Sequence, residues 1–118
     1  MVTEVMKDSF QEEVLSSELP VLVDFWGPSC QPCLALMPFV HDLAQKYDGK
    51  LKVVKVDSSK NRRLCIDLRV MSLPSFLLYD SGKEIGRLSG KDVSESVITR
   101  FLESAMSTEC RRKGASNG

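Results

Sequence analysis

The sequence predicts an α/β fold with a central mixed β-sheet of about five strands flanked by about four helices. Three observations predict it. Short apolar runs alternate with stretches of helical period through the first half of the chain, which implies parallel strands joined by helices. The quartet Asp80-Ser81-Gly82-Lys83 then separates two further strand-like runs, the signal of an antiparallel hairpin. An amphipathic stretch with Val93, Val97, Ile98, Phe101, Leu102 and Ala105 at helical spacing closes the pattern.

The elements follow in order. Phe10, Val14 and Leu15 predict a first helix over 8–17, with Asp8 or Ser9 near its cap. Pro20 ends that connection. Val21 to Trp26 is short, apolar and bounded by proline, as a strand buried on both faces should be. Met37, Val40, Leu43, Ala44 and Tyr47 predict a second helix over 31–47. Gly49 is its stop, and Pro38 inside it is expected to kink it. Leu51 to Val56 reads as another central strand, and a short helix fits within 59–68. Ser75–Tyr79 and Glu84–Leu88 form the hairpin.

The 118 residues favour one domain. Residues 1–106 carry all the patterned elements. Residues 107–118, with Arg111-Arg112-Lys113 followed by small polar residues, are expected to form an unstructured tail. Lys+Arg and Asp+Glu are equal at 16 each, so no basic field exists to hold a phosphate backbone and nucleic acid is not expected as a partner. No apolar run reaches the length of a membrane span. The start Met1-Val2-Thr3-Glu4-Val5-Met6-Lys7-Asp8 lacks a basic segment followed by an apolar one, so no signal peptide is read there. A cytoplasmic monomer is expected.

Four cysteines without regular spacing do not make a disulfide scaffold. Two of them stand in the tetrad Cys30-Gln31-Pro32-Cys33, directly after the apolar strand. Two thiols three residues apart, where a buried strand hands over to a helix, can close a small disulfide ring and open it again. One such pair is only half of a tetrahedral zinc site, and no second pair or HxxxH follows, so no metal is expected. Cys65 reads as a small buried or half-buried residue in the short helix, Cys110 as an incidental thiol in the tail, and His41 as a solvated helix residue.

Asp24, within the apolar strand, is a costly place for a carboxylate, and its pKa is expected to rise toward neutrality. Cys30 falls at a helix N-terminus, where free N–H groups and the helix dipole favour an anion, which makes it the candidate nucleophile. Cys33, one turn further in, is the candidate resolving thiol, with Asp24 as its proton acceptor. Pro32 fixes φ in the first helical turn without losing a donor and should favour the disulfide's turn. Gln31 lies beside the sulfurs.

The stretch Val21-Leu22-Val23-Asp24-Phe25-Trp26, the motif Cys30-x-Pro32-Cys33, Pro38, Leu73-Pro74-Ser75 and Gly90 together resemble the thioredoxin family from about Val2 to Met106. The resemblance implies that Lys55 partners Asp24 and that Pro74 follows a cis peptide bond. It also implies that the backbone of Leu73, with Trp26 and Gly90, borders the substrate site. It further implies a reductase of protein disulfides that needs no cofactor beyond the Cys30–Cys33 couple and is itself reduced by a thioredoxin reductase. The chain departs from the family pattern around the motif. Ser29 stands where tryptophan is usual, Gln31 where glycine is, Leu34 where a cation is, and Gly27-Pro28 where alanine and a polar residue are frequent. Two alternatives follow: an oxidase or isomerase working in the reverse direction, and a binding module on the same fold.

Overall fold

The computed structural model describes residues 2–106 with their side chains and 107–117 by backbone alone. Five strands form one sheet in the order β1-β3-β2-β4-β5, with β1 (Thr3–Glu4), β2 (Val21–Trp26), β3 (Lys52–Asp57), β4 (Ser75–Asp80) and β5 (Lys83–Ser89). The helices are α1 (Lys7–Phe10, continued as a π-helical turn Gln11–Leu15), α2 (Gln31–Lys46), α3 (Arg62–Leu68) and α4 (Glu95–Asn117). β1 and β2 each run parallel to β3, whereas β4 runs antiparallel to both β2 and β5. This is the mixed sheet that the order of elements predicts.

Side-chain alternation along β2 divides the core into two layers. Leu22 packs with Leu36, Val40 and Leu43 of α2 and with Ile98 and Leu102 of α4. Val21, Val23 and Phe25 face the other way, onto Phe10 and Val14 of the first helical segment and Leu64 and Cys65 of α3. β2 and β4 are therefore buried on both faces, and each fully buried large side chain contributes roughly 1.5–3 kcal/mol. Asp24 belongs to the same alternating set as Leu22, so it points toward the α2 layer.

Two local details differ from the sequence expectation. The first helix begins at Lys7, and its cap is Met6, not Asp8 or Ser9. Ser9 instead works from the third helical position, where its Oγ accepts from the Met6 N–H at 3.1 Å. β1 is an element the sequence pattern does not announce, since two residues are too few to show a period. It is fixed by pairing Thr3 and Glu4 with Val54 and Lys55. The hairpin loop is tight: Asp80 pairs with Lys83. Ser81 and Gly82 between them both adopt positive φ, 54° and 80°, the twist that a two-residue connection requires. Pro38 lies within a continuous α2. Cys110 and the other side chains of the expected tail lie outside the described residues.

Among the described residues no helix is long and apolar enough to cross a membrane. Nor do any three His, Cys, Asp or Glu side chains there gather to hold a metal ion.

Candidate active site

The carboxyl end of β2, the N-terminus of α2 and the loop entering β4 meet at one edge of the sheet, the edge where open α/β sheets build their sites. A turn from Gly27 brings the chain into α2, closed by the Cys30 N–H donating to the Gly27 carbonyl at 3.0 Å. Cys30 is the helix N-cap and stays extended, with φ −93° and ψ 101°. Gln31 and Pro32 occupy the first two helical positions. A Cys30–Cys33 disulfide closes across this turn, with 5.3 Å between the Cα atoms. The Cys33 N–H donates to Cys30 Sγ at 3.2 Å, so the sulfur takes the place that a serine or aspartate oxygen takes in an ordinary N-cap. Once the disulfide opens, that donor and the dipole of α2 both favour a thiolate on Cys30. The two sulfurs differ sharply in access. Cys30 is half-buried at the surface, whereas Cys33 is 1% exposed.

Asp24 is 1% exposed, and neither carboxylate oxygen accepts a hydrogen bond among the described residues. Burial raises its pKa from 3.8 to about 7, and the charge of Lys55 opposes that rise without cancelling it. Asp24 and Lys55 are direct partners in the β2–β3 register, which puts both side chains on the α2 face. The Lys55 ammonium lies 5.7 Å from the centre of the Trp26 ring, a cation–π contact. Lys55 is therefore shared between the carboxylate's field and the indole face. Trp26 is half-buried, and its Nε1 is enclosed without a hydrogen-bond partner among the described residues. Its position at the end of β2 sets it directly before the active-site turn.

The Leu73–Pro74 peptide bond is cis. The turn is pinned from two sides: Ser75 Oγ donates to the Ser72 carbonyl at 2.6 Å, and the Gly90 N–H donates to the Pro74 carbonyl at 3.0 Å. The N–H and C=O of Leu73 make no hydrogen bond among the described residues. Gly90 holds φ +95°, and a Cβ built there would meet nothing within 4 Å. Backbone conformation, not space, calls for glycine at this point. Gly90→Ala is therefore expected to lower stability by about 1–3 kcal/mol, read as a shift in the denaturant midpoint. An unchanged midpoint would show that the loop relaxes to another conformation at no cost.

A groove of about 500 Å³ opens beside Cys30. Gly27 and Leu73 form part of its wall, and Ser58 and Arg62 face them from the start of the β3–α3 connection and of α3. Sequence reasoning marks Gly27 as a departure but passes over Ser58 and Arg62. Neither belongs to a motif. The available signal was their position just past the carboxyl end of a parallel strand adjacent to β2. The remaining sequence candidates fall apart from this centre. His41 is exposed on α2, and Cys65 is a buried free thiol on α3 whose pKa burial raises.

A helix-capped dithiol with one accessible and one buried sulfur, on this sheet, defines a thiol–disulfide oxidoreductase. The Thioredoxin family model matches residues 1–104. The chain is 37% identical over 100 residues to "Thioredoxin 1" of Nostoc sp., covering 85% of this chain and 92% of that protein. It is 41% identical over 102 residues to a thioredoxin of Peptoclostridium acidaminophilum, covering 86% and 93%. A thioredoxin of Synechocystis sp. is 37% identical over 102 residues, covering 84% and 95%. The chain belongs to the thioredoxin family, and its activity is the reduction of protein disulfides by the Cys30–Cys33 couple, with no separate cofactor.

Proposed function

We propose that the protein is a cytoplasmic, monomeric electron carrier that takes electrons from a thioredoxin reductase and passes them to protein disulfides, all through residues 1–106. The Cys30 thiolate attacks one sulfur of the substrate cystine. The Cys30–substrate bond forms, the substrate S–S bond breaks, and the displaced sulfur leaves with the electron pair and takes up a proton. Cys33 then loses its proton to Asp24, with Lys55 tuning that carboxylate, and attacks Cys30 Sγ. The mixed disulfide breaks, the second substrate sulfur leaves with the electron pair and takes up a proton, and the Cys30–Cys33 disulfide closes. Two electrons and two protons have passed to the substrate. Pro32 and Gln31 shape the first turn of α2 during both steps.

The observation that carries this reading is the asymmetry of the two sulfurs: an accessible Cys30 can meet a protein substrate, and a buried Cys33 can meet only Cys30. The free N–H and C=O of Leu73, beside the cis Pro74, support pairing with an extended substrate segment. Trp26 and Gly90 flank that path.

The reduction potential tests the direction of flow. Equilibration against dithiothreitol buffers, followed by Trp26 fluorescence or thiol trapping, is expected to give a value below about −220 mV, the upper end of the cytosolic glutathione poise. A value well above it would make the protein an oxidase or isomerase instead.

A further inference from the structure

We propose that the groove beside Cys30 is a specificity subsite for protein substrates that carry an acidic side chain next to the cystine sulfur Cys30 attacks, with Arg62 as the group that binds it. The proposal rests on the reductase reading above and names a substrate class for that site.

Arg62 has no ion pair or hydrogen bond among the described residues, although it lines the same groove as Cys30. Its neighbour Arg63 is paired with Asp67 at 3.5 Å, and Arg87 is held by Glu84 and by the carbonyls of Leu68 and Arg69. No carboxylate lines the groove to satisfy Arg62 from within. Asp57, two residues before the lining Ser59, is buried and already accepts from the Ser59 N–H and hydroxyl at 2.9 and 2.7 Å. The hydroxyl of Ser58 is likewise committed, donating to the Trp26 carbonyl at 2.9 Å. Among the described residues, the side-chain donors left for a ligand in this lining are the Arg62 guanidinium and the Ser29 hydroxyl. A planar guanidinium suits a carboxylate, which it can engage through two parallel N–H groups.

Gly27 supplies the room. Its φ lies outside the left-handed region, so conformation does not demand glycine there. A Cβ at that position would come within 3.2 Å of Leu73 Cδ1 and 3.5 Å of Ser58 Oγ, narrowing the groove between Cys30 and Arg62. Arg62, Ser58 and Leu73 also line a second depression of about 360 Å³, where Met71 is 88% exposed, so the path continues past the arginine. A segment whose cysteine sits on Cys30 sends its next side chain into the first groove. When Cys30 Sγ bonds to that cysteine and the other substrate sulfur departs as a thiolate, Arg62 holds the acidic neighbour in register.

The test uses symmetric disulfides of two peptides that differ only beside the cysteine, Glu in one and Gln in the other. Each rate is divided by the same variant's rate on uncharged hydroxyethyl disulfide. The wild-type protein is expected to favour the Glu peptide about three- to five-fold in kcat/KM at low ionic strength, with the preference fading in high salt. Arg62→Gln is expected to equalise the peptides, and Arg62→Glu to favour Gln. A preference that survives in Arg62→Gln, or a wild-type protein that reduces both peptides equally, overturns the subsite while leaving the reductase. A wild-type protein that reduces neither the peptides nor hydroxyethyl disulfide overturns both.

Discussion

Cys33→Ser is expected to stop the reaction half-way, leaving the protein joined to its substrate through Cys30. The first exchange needs only Cys30, which is accessible and capped by the Cys33 N–H; a serine at 33 keeps that backbone donor. The second exchange needs a sulfur at 33, held on the buried side of Cys30, and a serine hydroxyl there is too weak a nucleophile to replace it. Turnover should fall by more than about 10³-fold, the scale on which removal of a covalent participant acts. The adduct should persist on a non-reducing gel and by intact mass, at the mass of protein plus one substrate chain. Cys30→Ser should abolish turnover equally and give no adduct, because the buried Cys33 cannot reach a substrate disulfide. An adduct formed by Cys30→Ser would reverse the assignment of nucleophile and resolving thiol. Partner binding that survives Cys30→Ser while wild-type turnover is absent would favour the binding module.

The contrast between the two sulfurs is legible in the amino-acid sequence, because it follows from helix geometry alone. A residue at the cap faces outward, and one three positions on turns back under the first turn. Much of the fold is legible for the same kind of reason. β2 is an uninterrupted apolar run because both its faces are covered, and the stripe of α2 repeats at helical period because only one side packs. Other features leave no local trace. β1 is two residues long and exists by pairing with Val54 and Lys55. The first helix continues as a π turn through Gln11–Leu15, a change in hydrogen-bond reach that a periodic pattern does not encode over so short a stretch. The groove joining Gly27, Ser58, Arg62 and Leu73 assembles three segments that are separate in sequence. Lys55 shows the limit from the other side. Register sets it opposite Asp24, but its contact with the Trp26 ring depends on the path of a long flexible side chain.

Asp24 is a buried carboxyl group with no hydrogen-bond partner among the described residues, and Asp24→Asn is the second large expected effect. The carboxyl group titrates near 7 in the folded protein and near 3.8 when unperturbed. Between those two values the folded state keeps a proton that the unfolded state has lost, so stability falls as pH rises through the window. Above pH 7 the penalty is complete, and a shift of this size corresponds to about 4 kcal/mol. An asparagine carries no such charge. The stability difference between Asp24→Asn and the wild-type protein should therefore move by about 4 kcal/mol in the variant's favour between pH 4 and pH 9, read from denaturant unfolding. The amide's own unpaired groups offset part of the gain at every pH and leave the pH dependence intact. Activity should respond in the opposite sense. Release of reduced substrate should slow by on the order of 10²-fold above pH 7, where wild-type Asp24 is ionised and able to take the Cys33 proton. Formation of the mixed disulfide should change little, and the two proteins should converge below pH 6, where wild-type Asp24 is itself protonated. A variant that slows both exchanges equally would sink the proton-acceptor role. A stability difference that stays flat with pH would mean that the carboxylate is not desolvated in solution. The two readouts pull apart for one physical reason: burial that makes the ionised carboxylate costly also brings its pKa close to the pH at which a proton must be taken from a buried thiol.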